Sequence, residues 1–184
     1  MKYIPFYDTI DRFSIEDLLV SLRAADAPQC VYVDSPGGAF EFFSSVAPAI
    51  HRRGIVTIAG NVRSAAIILS LLGYKRQAFP DSAFFFHEVR AFVNGTDDVT
   101  VCDVEDVLEY QEEMFGKERE AFQEWLRRMK VAQGWFLGFI AEKTQLPASV
   151  FLNLMRSEAT LTAREAVRYG IVHEILPEGA FQEA

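Results

Sequence analysis

The strongest constraint is an alternation of apolar runs with glycine-bearing turns and amphipathic stretches. Gln29 to Val33 (Gln-Cys-Val-Tyr-Val) reads as a buried strand and runs into Asp34-Ser35-Pro36-Gly37-Gly38, a strong turn signal. Phe40 to Arg53 carries Phe42, Phe43, Val46, Ala49 and Ile50 at helical spacing and is closed by Gly54. Its end, His51-Arg52-Arg53, suits the negative pole of a helix dipole. Ile55 to Ala59 is the next strand, Gly60 to Arg63 a loop, and Ser64 to Leu72 a second helix ended by Gly73. Ala78-Phe79 and Ala83 to Phe86 read as strands separated by Pro80-Asp81-Ser82. Strands that alternate with helices predict an α/β fold with parallel pairing.

The flanks extend this pattern. Tyr3 to Tyr7 reads as a short strand that Pro5 moves toward an edge. Ser14 is the expected N-cap of a helix ending near Ala25. A helix near Ala163 to Tyr169, capped by Gly170, and a strand from Ile171 to Leu176 finish the chain. The 184 residues suit a single domain, 1–184, which at this size buries roughly 70% of the surface of the unfolded chain.

Charge and cysteine content narrow the classes. The net charge is −8, so no basic surplus exists for general binding to a phosphate backbone, and no nucleic-acid partner is expected. Cys30 and Cys102 are too few for a disulfide framework, and no metal-ligand spacing surrounds them. They fit a reducing cytoplasm. Met1 to Asp8 has no signal-peptide pattern, and the longest apolar run, Ile55 to Tyr74, is interrupted by Asn61, Arg63 and Ser64. Neither secretion nor a membrane span is expected.

Three features can carry chemistry, each with a plainer alternative. Ser64 follows a strand and opens a helix, so it is either an N-cap or a hydroxyl presented beside unpaired helix N–H groups. His87 ends the run Ala83 to Phe86 on a rigid strand, and is either a buried structural histidine or a general base. Gly37 and Gly38 form either an ordinary turn or a backbone that approaches a ligand closely and donates N–H groups to an anion.

In the order Gly-Gly, Ser, His, these residues resemble ClpP, the proteolytic subunit of the Clp proteases, within the ClpP/crotonase superfamily. Val33 to Gly38 resembles its Ser-Pro-Gly-Gly segment, and Gly60 to Ala66 its Gly-x-x-x-Ser nucleophile loop. Lys75 to Ser82 with Phe86-His87 resembles its Lys-Arg…Pro-Asn-Ser…His segment. Leu161 to Val172 resembles its C-terminal Ser-Ala-x-Glu-Ala-x-x-Tyr-Gly-Leu-Val segment.

The resemblance implies a β/β/α spiral with a self-associating handle, and a serine peptidase needing no cofactor or metal. It makes Ser64 the nucleophile, His87 the general base, and Gly38 and Ala65 the oxyanion-hole donors. Glu158 falls where the family's triad aspartate is expected, and is either a longer triad member or a solvated carboxylate, which would leave a dyad. Two other functions stay open: a catalytically weak or inactive ring subunit, and a crotonase-type acyl-CoA enzyme. Peptide substrates and a homo-oligomeric ring are implied. Of the apolar positions of the family's ATPase-docking surface only Tyr32 and Phe79 match, while Cys30, Thr57, Ala59 and Gln77 are poorer or polar, which weighs against an AAA+ unfoldase partner.

The segment 94–143 is expected to form an extended helical handle. From Asp103 to Met129 the apolar positions recur at helical spacing. Unbroken, that helix would span roughly 40 Å, too long to be covered by a small domain. Phe115, Phe122, Trp125 and Met129 are then expected against a second subunit. The alternatives are a break at Gly116, or a hairpin with Trp135 to Ile140 folded back on the same stripe.

Overall fold

The structure is a computed structural model that describes residues 3–24, 30–39, 42–93, 97–110 and 117–180. Its elements run β1 (Tyr3–Phe6), α1 (Arg12–Ala24), β2 (Cys30–Ser35), α2 (Phe43–Arg53), β3 (Val56–Arg63), α3 (Ala66–Leu71) and β4 (Lys75–Phe85). They continue through β5 (Arg90–Val93), β6 (Asp97–Thr100), α4 (Val101–Tyr110), α5 (Lys117–Thr144), α6 (Ala148–Arg156), β7 (Thr160–Thr162), α7 (Ala163–Arg168) and β8 (Glu174–Ile175). The expected element ends at Ala25, Gln29 and Phe40 lie outside the described residues. The main sheet has the order β1-β2-β3-β4-β7, with β8 also on β4. Strands β1 to β4 are parallel, as the alternation predicts, and β7 is antiparallel. Pro5 lies on the edge strand, where its missing N–H costs no ladder bond.

Side-chain alternation splits the two faces of the sheet. Val31 and Val33 point into the main core with Leu22, Phe43, Ile67, Ile68 and Phe84. Cys30 and Tyr32 point to the other face, with Val56, Ile58 and Phe79. Two predicted loops are strand. Gly60 to Arg63 extends β3, and Pro80-Asp81-Ser82 lies inside β4. A register shift between Ala59 and Asn61 absorbs the extra residues, and Ser82 Oγ donates to Ala59 O at 2.6 Å across it. Bulges of this kind re-aim a strand end.

Caps differ from expectation at one end. Helix α1 starts earlier than Ser14. Asp11 Oδ1 accepts from Ser14 N at 2.8 Å and Ser14 Oγ from Asp11 N at 3.0 Å, a reciprocal pair that makes Ser14 the third helical residue rather than the cap. At the other end α7 has a full capping box between Thr162 and Glu165.

The handle departs most from the sequence reading. Residues 103–129 are not one helix. Lys130 pairs with Glu105, Arg119 reaches Leu108 O, and Met129 is buried with Val101 and Val104, so α4 and α5 run antiparallel and cover each other. Phe122, Trp125 and Leu126 pack partly on that same cluster. Gly116 and Phe115 lie outside the described residues. Trp135 to Ile140 does not fold back. It continues α5, and Phe136 and Ile140 join the main core. At 28 residues, α5 spans roughly 42 Å. No helix among the described residues is long and apolar enough to cross a membrane.

One buried cation locks the C-terminal part. Arg76, only 7% exposed, donates Nε to Ile171 O at 2.9 Å and Nη2 to Gly170 O at 3.0 Å and Lys143 O at 3.1 Å. It joins β4 to the end of α5 and the turn after α7 through carbonyls alone, and burial lowers its pKa. Arg76→Met keeps the stem and strands three acceptors. A loss of about 2–4 kcal/mol is expected, read as a fall in Tm of roughly 4–16 °C for a chain of this size. An unchanged melting curve would show that these bonds do not hold the terminal segment.

Candidate active site

The parallel register of β3 and β4 assembles the site. Arg63 pairs with Phe85, and Ser64 N donates to Phe85 O at 2.9 Å. Ser64 therefore stands beside the end of β4, two residues before His87. Its φ is +55°, a left-handed conformation that costs a non-glycine residue about 1–3 kcal/mol. The bonds on both sides, with Ile67 N on Ser64 O at 3.1 Å, hold it there. The N-cap of α3 is Ala65, and no side chain caps that helix. Ser64 is thus a sharp strand-to-helix turn residue whose hydroxyl is not spent on capping.

The Pro36-Gly37-Gly38 loop closes on this turn. Gly37 has φ +95°, and a Cβ there would lie 2.6 Å from Arg63 O and 2.8 Å from Ser64 Cβ. Gly38 has φ +141°, and its added Cβ would meet Ile10 O at 2.3 Å. Ile10 N donates to Gly37 O at 2.7 Å and Ile10 O accepts from Ala39 N at 2.8 Å, so this anchor uses the groups on either side of Gly38 and leaves the Gly38 N–H out of the ladder. Ser35 Oγ fastens the loop by donating to Asp8 O at 2.6 Å and accepting from Gly37 N at 3.2 Å.

Gly38, Ser64, Ala65 and His87 all line one cleft of about 590 Å³, floored by Phe136 and Met155. His87 is half-buried, and its Nδ1 lies 2.6 Å from Glu88 O. A carbonyl only accepts, so Nδ1 carries the hydrogen and Nε2 is the basic nitrogen.

Glu158 is placed differently. Phe85 pairs with Thr160, and Phe86 N donates to Ala159 O at 2.9 Å, so the ladder brings the backbone of Glu158 opposite His87. Its carboxylate is instead bonded to Arg90 Nη2, and it lines a neighbouring hollow of about 430 Å³ with Arg90, Asp103 and Arg156. Ser64, His87, Gly38 and Ala65 line one cleft, and Glu158 lines the neighbouring hollow. Two charged residues of the cleft, Glu88 and Arg90, are not among the site residues expected from the sequence. Their signal is the Glu88-Val89-Arg90 run directly after His87. Among the described residues no group of His, Cys, Asp or Glu is arranged to hold a metal ion.

Solved structures share this fold. The chain superposes on the catalytic domain of the ClpP protease from Plasmodium falciparum with a TM-score of 0.65 and 18% identity, covering 97% of this chain and 86% of that one. It superposes on a point mutant of ClpP1 from Listeria monocytogenes with a TM-score of 0.71 and 20% identity, covering 97% and 92%. The fold is that of ClpP. No protein-family model and no curated protein matches the sequence. At this identity the likeness with ClpP is one of fold, carried over nearly the whole chain, and the chemistry rests on the residues.

Two glycines give opposite expectations. Gly37→Ala places a methyl against backbone in a left-handed conformation and should cost about 2–4 kcal/mol. Gly134→Ala, mid-helix in α5 with nothing within 4 Å of its added Cβ, should gain up to about 1 kcal/mol. Urea midpoints of the two variants against wild type check both signs. A harmless Gly37→Ala would show that the loop is not seated on the Ser64 turn.

Proposed function

We propose that the chain is a ClpP-like serine peptidase acting through an acyl-enzyme on Ser64. The observation that carries this is the His87 Nδ1 contact with Glu88 O, which leaves Nε2 as the base in the cleft that Ser64 lines. Ser64 Oγ attacks the peptide carbonyl carbon as its proton passes to Nε2. The N–H groups of Gly38 and Ala65 receive the oxyanion. Collapse breaks the C–N bond, and the imidazolium returns its proton to the leaving amine. Water, deprotonated by the same nitrogen, then releases the acyl group and restores Ser64. Peptides or unfolded proteins are the substrates, no cofactor takes part, and a homo-oligomer is the working form by resemblance to ClpP.

A second reading has a specific observation behind it. The carboxylate that would complete a triad is bonded to Arg90, which favours a slow dyad or a silent subunit over a full triad. Intact-mass readout after a fluorophosphonate probe separates these. Wild type is expected to gain one adduct and Ser64→Ala none. No adduct on either protein would overturn the peptidase reading in favour of a silent subunit. Glu158→Gln is expected to slow labelling by about tenfold or less. A fall near 10⁴, as when another triad's carboxylate is neutralised, would show that Glu158 orients His87 in the working enzyme.

A further inference from the structure

Helix α5 turns one stripe inward as it passes the cleft. Met129, Gln133, Phe136 and Ile140 recur at helical spacing and are all buried. Gln133, 6% exposed, is the one polar member of that stripe, and a buried amide is costly unless both of its ends are bonded. Both ends go to the residues that follow His87. Oε1 accepts from Val89 N at 3.0 Å, and Nε2 donates to Glu88 Oε1 at 3.2 Å. Chemistry sets which way round the amide lies, because a backbone N–H only donates.

The first of these bonds acts on the peptide that meets the imidazole. The N–H of Val89 and the C=O of Glu88 belong to one planar unit and point in opposite directions across it. Gln133 holds the N–H side, and the carbonyl oxygen lies 2.6 Å from His87 Nδ1. The plane is thus held between the α5 amide and the ring, and donation from its N–H makes its carbonyl a stronger acceptor. The Glu88 carboxylate has further anchors. Its Oε2 accepts from Cys102 N at 3.4 Å, and its Oε1 lies 3.6 Å from Arg156 Nε. Those contacts hold the side chain, whereas the bond to Val89 N holds the plane itself.

We propose that Gln133 is a positioning residue for His87: through the 88–89 peptide it keeps the proton on Nδ1 and leaves Nε2 basic, the task that a carboxylate performs in a full triad. This rests on the peptidase reading of the cleft. Gln133 acts through the peptide and the ring, so its effect falls on the acylation step and not on the binding of the probe or peptide.

Two readouts test this. The first is the rate of fluorophosphonate labelling at saturating probe. Gln133→Met keeps the length of the side chain and removes both bonds. It should label about a hundredfold more slowly, the low end of what a positioned base contributes, with an unchanged half-saturating probe concentration. A partly unfolded sample lowers the amplitude of labelling and leaves the rate constant of the folded fraction intact. Gln133→Asn, whose amide stops one methylene short of Val89 N, is held to the same outcomes, so the test does not depend on one variant folding. The paired exchange Glu88→Gln with Gln133→Glu keeps an acceptor for Val89 N and reverses the donor between the two side chains, and it should recover most of the lost rate. The second readout is the ring tautomer, from nitrogen NMR shifts of protein labelled at histidine, with His87→Ala identifying the His87 signals. With the ring neutral, the proton should sit on Nδ1 in wild type and in the exchange variant, and move toward Nε2 in Gln133→Met. A Gln133→Met protein that labels less than about tenfold more slowly, or that keeps the wild-type tautomer, overturns the inference and leaves the peptidase reading standing. An exchange variant as slow as Gln133→Met also overturns it. A wild type that does not label at Ser64, while the tautomer still follows Gln133, overturns the peptidase reading and leaves the hold of Gln133 on the imidazole intact.

Discussion

The bond from Ser64 N to Phe85 O is the constraint on which the site depends. It ties the residue that follows β3 to the last residue of β4, and so fixes how far the Ser64 turn sits from His87 along the sheet. Without it a left-handed serine would relax, because its local conformation costs about as much as one or two hydrogen bonds supply. The Gly37 loop then presses on the turn from the other side, so close that a β-carbon there would collide with Arg63 O and Ser64 Cβ. A strained turn held between a parallel ladder and a glycine loop is stiff. Such stiffness would serve the nucleophile proposed at Ser64, whose advantage comes largely from position.

The rest of the chain serves to anchor that arrangement. Helix α5 belongs to two cores: Met129 is buried against α4, while Phe136 and Ile140 sit in the main core under the sheet. Phe136 is also part of the floor of the cleft. One helix therefore joins the α4–α5 hairpin to the lining of the cleft. Gln133, on the same helix, accepts from Val89 N at 3.0 Å and donates to Glu88. It holds the residues that follow His87, including the one whose carbonyl engages the imidazole.

Much of this is legible in the sequence, and the exceptions have physical causes. The Gly-Gly turn, the Ser64 turn and His87 can be placed because each lies at the end of a strongly apolar strand, where period and punctuation agree. Gly60 to Arg63 reads as loop from composition alone, yet it is strand, because pairing with Ala83 to Phe85 overrides weak local preference. Pro80-Asp81-Ser82 misleads for another reason: these residues fall in the register shift between Ala78 and Ala83, where Ser82 Oγ bonds to Ala59 O and the strand runs on through them. The handle fails differently. Periodicity shows that 103–129 has one apolar stripe but not that the stripe covers itself, since that depends on a reversal between α4 and α5 rather than on spacing. The position of Glu158 can be read from motif order, while its partner cannot. Arg90 is 68 residues away in sequence, and only the β4–β7 pairing brings the two together.

The electrostatics around His87 follow from that pairing. A carbonyl at Nδ1 fixes the tautomer as well as a carboxylate does, since both accept the N–H. In the mechanism proposed above it would offer only a partial charge to the imidazolium, so the transition state would lose much of what a carboxylate supplies, up to about 10⁴ in rate by comparison with another triad. What would then remain is the proposed oxyanion hole and substrate positioning, worth about 10³–10⁴ over water in that same comparison. The Glu158 carboxylate is held by Arg90 at the border between the cleft and the neighbouring hollow, which leaves the carbonyl of Glu88 as the group seen at the imidazole Nδ1.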